Sequence, residues 1–317
     1  MTSRLILPLL TIVALLTACN GQADNNQTID ASEALYAIDD FAEQTITFQE
    51  VPERIAALSS GDMDIIYALG GSLVGRPTTS LDLVSEEAED VEQIGSTHEI
   101  DLEKLTYVQP DVVLGHTQMN AKDVPTIQGL GAQMILTDAQ SVEDIKAQVL
   151  LFGEMLQKED EAAEIVETIT NKVSEIQSAA RDERVSVLLV YGAPGTYMAA
   201  LPNSLSGDLL DIAGADNIAS DFDRLEAYPQ YAQINTERVV EANPDYIFIM
   251  SHGNSTEVKD GFLKEMEQNA AWNEINAVKN NHIELLPSDL FGTNPGTRVT
   301  EALDFLVSLF ESAPEDS

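Results

Sequence analysis

From about residue 44 onward, short apolar runs alternate with stretches in which apolar residues recur every three or four positions. That rhythm predicts strands alternating with helices. TITFQEVPERIAALSS (45–60) gives two β-like runs around a turn at Pro52, and GDMDIIYALG (61–70) gives a short helix ending at Gly70 and Gly71. LVGRPTT (73–79), PDVVLGH (110–116) and AQMILTD (132–138) read as further strands, with DLEKLTYVQ (101–109) helical between the first two. The pattern changes over 141–183, where helical spacing runs for about 40 residues without proline, interrupted only by Gly153 and a charged stretch at 158–161. This predicts one long helix or two joined ones; the seam is too short and irregular for a coiled coil. Alternation then resumes with VSVLLVYG (185–192), SGDLLDIAG (206–214), the helical EVKDGFLKEMEQNAAWNEI (257–275), HIELLP (282–287) and the amphipathic VTEALDFLVSLFESA (299–313).

The fold class is therefore α/β, with parallel sheets, arranged as two Rossmann-like lobes bridged by a long α-helix. The expected boundaries are 46–142 for the first lobe, 143–183 for the bridge and 184–317 for the second lobe, with a ligand cleft between the lobes. A repeated unit supports two lobes of similar design. DLEKLTYVQPDVVLGH (101–116) and NTERVVEANPDYIFIMSH (235–252) share an acid followed by a base, a helical step, Pro-Asp, an apolar run and a terminal histidine. Glu103 and Glu237 stand at equivalent places, each seven residues before the proline. The helix dipole favours carboxylates there whatever the function, and it is their recurrence that singles them out.

The N-terminus adds a compartment. Arg4 precedes the apolar run LILPLLTIVALL, which is shorter than the ~20 residues needed to span a bilayer and ends in Leu16-Thr17-Ala18-Cys19. Residues 1–19 resemble a bacterial lipoprotein signal with its lipobox, and Cys19, the sole cysteine, has no partner for a disulfide. Residues 20–45 are polar and poorly periodic, as expected of a tether. The mature chain is expected at the extracytoplasmic face of a membrane, held by lipid and monomeric. The formal charge of −38 leaves no basic footprint for nucleic acid, and suits a hydrated surface exposed to salt or high pH.

Catalytic signatures are missing: there is no GxGxxG, Walker loop, CxxC, HExxH or GxSxG. The expectation is a protein that is not an enzyme. Of the four histidines, His116 and His252 follow strands, at the carboxyl ends where open α/β sheets bind ligands. His98 lies in the loop entering the first helix of the repeat, and His282 starts a strand at the opposite edge, where a structural role is expected. His98 and His252, one from each lobe, form the better pair. Arg76 after a strand and Arg298 before the last helix could each neutralise an anionic ligand, and Tyr191 and Tyr197 could furnish aromatic walls. A surface arginine bridging acids, or a core tyrosine, is the plain alternative for each.

Taken together, the lipobox, VPERIAALSSGDMDIIYALGGSLVG, GSTHEIDLEKLTYVQPDVVL, the long central helix and INTERVVEANPDYIFI resemble a cluster-A, class III substrate-binding lipoprotein of an ABC importer. The resemblance runs from about 46 to 311. It implies capture of iron siderophores, haem or cobalamin between two lobes and delivery to a membrane permease, which Glu103 and Glu237 would engage through its arginines. The segment from Ser251 to Gly296 is most similar to the haem-binding members, where a histidine at the place of His252 ligates iron. Those members carry a methionine as the other ligand, where this chain has His98 in GSTHEIDLE; a bis-histidine site favours ferric haem. Arg76 and Arg298 would then meet the propionates. Ferric siderophore or cobalamin is the alternative ligand. A bare zinc or manganese ion would need His98, His116, His252 and an acid to converge, and a hydrolase is the reading from another class.

Overall fold

The computed structural model describes residues 35–79, 83, 85–179, 183–193, 196–251 and 255–311. The leader and Cys19 lie outside the described residues. Tyr36–Asp39 (β1) and Thr45–Phe48 (β2) form an antiparallel hairpin. Strand β1 thus falls within the stretch expected to be a tether, because Ile38, Ile46 and Phe48 are buried and the Tyr36 hydroxyl donates to the carbonyl of Met155.

The first lobe continues through Ile55–Ala57 (β3), the helix Ser60–Ala68 (α1), Leu73–Arg76 (β4) and Glu92–Gln93 (β5). Leu102–Val108 (α2), Val112–His116 (β6), Thr117–Asn120 (α3), Val124–Gly129 (α4) and Gln133–Thr137 (β7) complete it. The strand order is β5-β4-β3-β6-β7 and every pair is parallel. Alternate residues of β6 enter opposite cores: Val112 and Leu114 pack with Met63 and Ile66 of α1, Val113 with Leu105 of α2 and Ile127 of α4. A strand covered on both faces reads as a continuous apolar run, the reason VVLG is legible as β without alternation.

Residues 141–183 form two helices, Val142–Leu156 (α5) and Glu159–Ser178 (α6). Gln157 ends α5 in the left-handed conformation, at φ 54°, and the chain folds back on itself. Lys146 Nζ near the start of α5 lies 3.4 Å from Thr170 Oγ1 in α6, so the two run antiparallel. Gly153 permits this crossing, since a Cβ there would collide with that of Ala162. Both helices reach both lobes: α5 places Val142 and Ile145 in the second lobe's core and Val149 and Phe152 in the first's, and α6 does likewise. Ala162 sits in the first lobe's core and Ile169 in the second's, along a helix of 20 residues, about 30 Å.

The second lobe contains Val185–Ala193 (β8), Thr196–Ala200 (β9), Leu205–Ile212 (α7), Ala215–Asn217 (β10), Tyr231–Gln233 (β11) and Thr236–Ala242 (α8). Tyr246–Met250 (β12), Ser255–Glu267 (α9), Asn276–Lys279 (α10), Ile283–Leu285 (β13), Ser288–Phe291 (α11) and Val299–Glu311 (α12) follow. The strand order is β11-β9-β8-β12-β13, with β10 also on β8. This sheet is mixed rather than wholly parallel, because β9 pairs antiparallel with both β8 and β11. Among the described residues no helix is long and apolar enough to cross a membrane.

Candidate functional site

Each half of the repeat builds the same local structure. Asp101 caps α2 by accepting from the Lys104 N–H, and Asn235 caps α8 by accepting from the Arg238 N–H. Both helices have seven residues and both end in a left-handed residue, Gln109 at φ 45° and ψ 64°, Asn243 at φ 46° and ψ 62°. The Pro-Asp that follows then stitches the next strand to its neighbour. Asp111 Oδ2 accepts from the Arg54 N–H at 2.9 Å, and Asp245 Oδ2 accepts from the Ser186 N–H at 2.9 Å. The carboxylates of Pro-Asp were the missed function in this motif, and their recurrence was the available signal. Because α2 and α8 run down into the strand starts, their N-termini lie toward the strands' carboxyl ends. Glu103 and Glu237 are exposed there. The bases beside them are held by other acids, Lys104 by Glu92 at 2.8 Å and Arg238 by Asp221 at 2.5 Å.

The first lobe's strand ends carry Arg76, His98 and His116. His98 is exposed on a tight loop closed by a bridge between Gly95 and Ile100 and by a bond from the Ser96 N–H to the Glu99 carbonyl. Gly95 at φ +94° is required, since a Cβ would run into the Glu99 carbonyl. Asn120 Nδ2 donates to the Thr97 carbonyl at 3.0 Å and fixes the loop to α3. A cavity of about 200 Å³ beside it is lined by His98, Ile100, Leu102 and Lys122, smaller than the usual pocket of ~300 Å³ or more for an organic ligand. A larger cavity of about 330 Å³, between α6 and α12 and lined by Glu175, Asp304 and Glu311, lies at the start of β8, away from the strand ends.

His116 is committed elsewhere. Its Nδ1 accepts from the Gln118 N–H at 3.2 Å, which puts the proton of the neutral ring on Nε2, 3.6 Å from Asp138 Oδ1. Burial pushes the imidazole pKa down, the Asp138 carboxylate opposes this and His98 reinforces it. With Nδ1 accepting from Gln118 and Nε2 facing Asp138, both nitrogens of His116 are engaged within the first lobe. Among the described residues no three His, Cys, Asp or Glu side chains converge as a metal site. His252 lies outside the described residues; Ser251, just before it, is buried at the end of β12.

Arg76 is buried, 7% exposed, at the end of β4. Its Nη1 donates to the Pro77 carbonyl at 3.3 Å, while its Nε finds no partner, and among the described residues no carboxylate pairs with it. A desolvated guanidinium is costly to leave unpaired, and its remaining N–H groups have the chemistry to pair with an anion. Arg298 differs: Asp289 at 2.7 Å and Glu301 at 3.1 Å occupy its fork, so the expectation that it meets a propionate is not met.

The two tyrosines part company. Tyr191 packs its ring 5.0 Å from Tyr231, and burial pushes the phenol pKa of both upward, keeping them neutral. Tyr197 pairs with Gly192 across the hairpin, on the other face of the sheet, with its ring 5.1 Å from Phe262. It belongs to the core under α9 and leaves the site. His282 is structural as expected, with Nδ1 at the Asp245 carbonyl and its ring stacked on Tyr246.

The chain matches the model of a periplasmic binding protein over residues 55–290. It is 30% identical over 265 residues to the high-affinity heme uptake system protein IsdE of Staphylococcus aureus, covering 83% of this chain and 87% of that protein. The crystal structure of S. aureus IsdE complexed with heme superposes with a TM-score of 0.72 at 29% identity, over 81% of this chain and 98% of that one. An ABC transporter substrate-binding protein from Listeria monocytogenes superposes with a TM-score of 0.71 at 28% identity, over 82% and 98%. Two α/β sheets with helices between them thus match solved substrate-binding proteins in overall fold, and the chain belongs to the periplasmic binding protein family.

Proposed function

We propose that this protein captures haem between its two lobes and hands it to an ABC importer. The observation that carries the reading is the match, over four-fifths of the chain, to a protein solved with heme bound. The geometry supports it. His98 stands on an immobilised loop at the strand ends, and Arg76 offers a buried cation to a propionate in a chain of net charge −38. His252 from the second lobe supplies the other iron ligand, and the neutral Tyr191 lines the wall. Glu103 and Glu237, exposed and flanked by bases already paired, dock on permease arginines, one per lobe. Lipid on Cys19 holds the chain to the extracytoplasmic face of the membrane. The family is one of solute binding, so saturable capture without turnover is expected.

Haemin and several ferric siderophores, titrated into the protein freed of its leader while absorbance is recorded, test this reading. A saturable Soret shift with haemin is expected, abolished in the His98→Ala, His252→Ala double variant. No shift, or one that survives in that variant, removes haem ligation by this pair. Saturation by a siderophore alone transfers the cleft to that ligand.

A further inference from the structure

Asp62 is a fully buried carboxylate, on the first turn of α1 at the end of β3, and among the described residues no cation acts on it. The Ser59 hydroxyl donates to its Oδ2 at 2.6 Å, and Thr137 Oγ1, at the end of β7, lies 3.3 Å from its Oδ1. Gln148 of α5, 1% exposed, donates from Nε2 to the same oxygen at 2.5 Å. A carboxylate can only accept, so Gln148 must turn its amide nitrogen inward and its Oε1 outward. That oxygen accepts from Asn294 Nδ2 at 2.9 Å. Asn294 must therefore direct its own Oδ1 the other way, where it accepts from the Gly296 N–H at 2.9 Å.

Asn294 and Gly296 belong to the segment leading from α11 to α12 of the second lobe. The segment begins against the far wall of the site, where the backbone of Gly292 packs on the Ser251 carbonyl. It ends on the first lobe, where Asp64 Oδ2 accepts from the Thr297 N–H at 2.6 Å and from its hydroxyl at 2.7 Å. Gly61 and Gly296 let the two backbones touch. A Cβ on Gly61 would strike the Asn294 carbonyl, and Gly296, at φ +64°, lies against the Asp64 carboxylate.

We propose that Asp62 is a positioning residue for the ligand cleft, setting through Gln148 and Asn294 the direction of a buried amide relay that fixes the second lobe's 292–298 segment on the first. The relay joins the ends of β3 and β7 to a segment touching the end of β12, so its direction holds the opposed walls at one spacing. This rests on the reading that the ligand sits between the lobes.

The test exploits direction. In Asn294→Asp, a carboxylate stands at each end of one amide, and Gln148 cannot donate to one without opposing the other with its oxygen. Asp62→Asn removes that conflict: the new amide donates to Gln148 Oε1, Gln148 Nε2 turns to the carboxylate that Asn294→Asp introduces, and the relay runs in reverse with Gly296 still capped. Hydrogen exchange of residues 60–66 and 294–299 is measured in the wild type, both single variants and the double variant. Asn294→Asp is expected to speed exchange at least about tenfold in both segments, a tenfold change corresponding to ~1.4 kcal/mol. Adding Asp62→Asn is expected to return it to within about threefold of Asp62→Asn alone, the coupling that a double-mutant cycle isolates. Equal effects of Asn294→Asp in both backgrounds would overturn the relay, as would a double variant that fails to fold; an Asn294→Asp that folds only with Asp62→Asn supports it. Haemin affinity in the four proteins is the functional readout and should follow the exchange. A wild type that binds no haemin while the exchange pattern holds removes the haem reading and leaves the relay standing.

Discussion

The two copies of the repeated unit agree in backbone and differ in what surrounds them. Helices α2 and α8 share length, cap, left-handed end and the Asp that accepts from the neighbouring strand. Their surfaces diverge: Tyr107, 79% exposed, stands one turn past Glu103, where α8 carries Glu241. The bonding of the Pro-Asp carboxylates diverges too. Asp111 is exposed and accepts from two backbone N–H groups, of Glu53 and Arg54, whereas Asp245 also takes the Ser186 hydroxyl and is reached by Asn276 Nδ2 at 3.5 Å. Common elements place an exposed acid and a strand end; the differing neighbours decide how firmly each lobe holds them.

The largest contrast lies between the acids the lobes bury. Burial raises the Asp62 carboxyl from its usual 3.8 to about 6, against the lowering pull of Ser59, Thr137 and Gln148. Asp208 of α7, half-buried and accepting from the Val142 N–H, is raised by burial as well. A raised acid binds its proton more tightly folded than unfolded, so its contribution to stability is full below about pH 4 and lost as pH rises through about 6. Asp62→Asn should therefore gain on the wild type between pH 4 and 7, by on the order of 3 kcal/mol at the upper end. Asp208→Asn should gain less, since its carboxyl is only half-buried, and its amide oxygen can still accept from the Val142 N–H. Denaturant melts at several pH values measure both, and equal slopes for the two variants would erase the contrast.

Next in size are the Pro-Asp carboxylates. Asp245→Ala should cost about 2 kcal/mol, as half-buried donors lose a charged acceptor, and Asp111→Ala nearer ~1 kcal/mol, because water reaches its donors. Equal losses in urea unfolding would mean that the lobes do not differ in this joint. The smallest contrast concerns the left-handed turns. Gln109→Gly should stabilise by up to about 1 kcal/mol by removing the cost of a positive φ. Asn243→Gly should gain nothing or lose, since Asn tolerates this conformation and its Oδ1 accepts from the Asn276 N–H at 2.8 Å. Thermal melts should show opposite signs.

Much of this architecture was legible in the sequence, for identifiable reasons. Apolar runs such as VVLG and YIFIM are covered on both faces, and helices α2 and α8 are bounded by Asp101, Asn235 and the two prolines. The break between α5 and α6 was marked by Gly153 and the charged stretch from Lys158, but the fold-back was not, because it turns at Gln157 and Lys158, neither a usual turn residue. In the site, His98 and Arg76 lie where a loop and a strand end were expected. Tyr197 was misplaced because a hairpin's register decides which face a side chain takes, and the spacing of Tyr191 and Tyr197 does not reveal it. Arg298 was misassigned although Glu301, three residues on in the last helix, was in view. The relay was hidden because Asp62 and Gln148 look like surface residues until α1 and α5 pack against the segment from the other lobe.

Helix α6 has one more consequence. Ile165 packs against the apolar interior of both lobes, with Ala162 on one side and Ile169 on the other. Neither half owns its interior outright. A chain cut between the lobes leaves one fragment with a bare greasy stripe and the other with an unfilled slot, so separately expressed halves should aggregate, whereas halves made together should find each other and assemble.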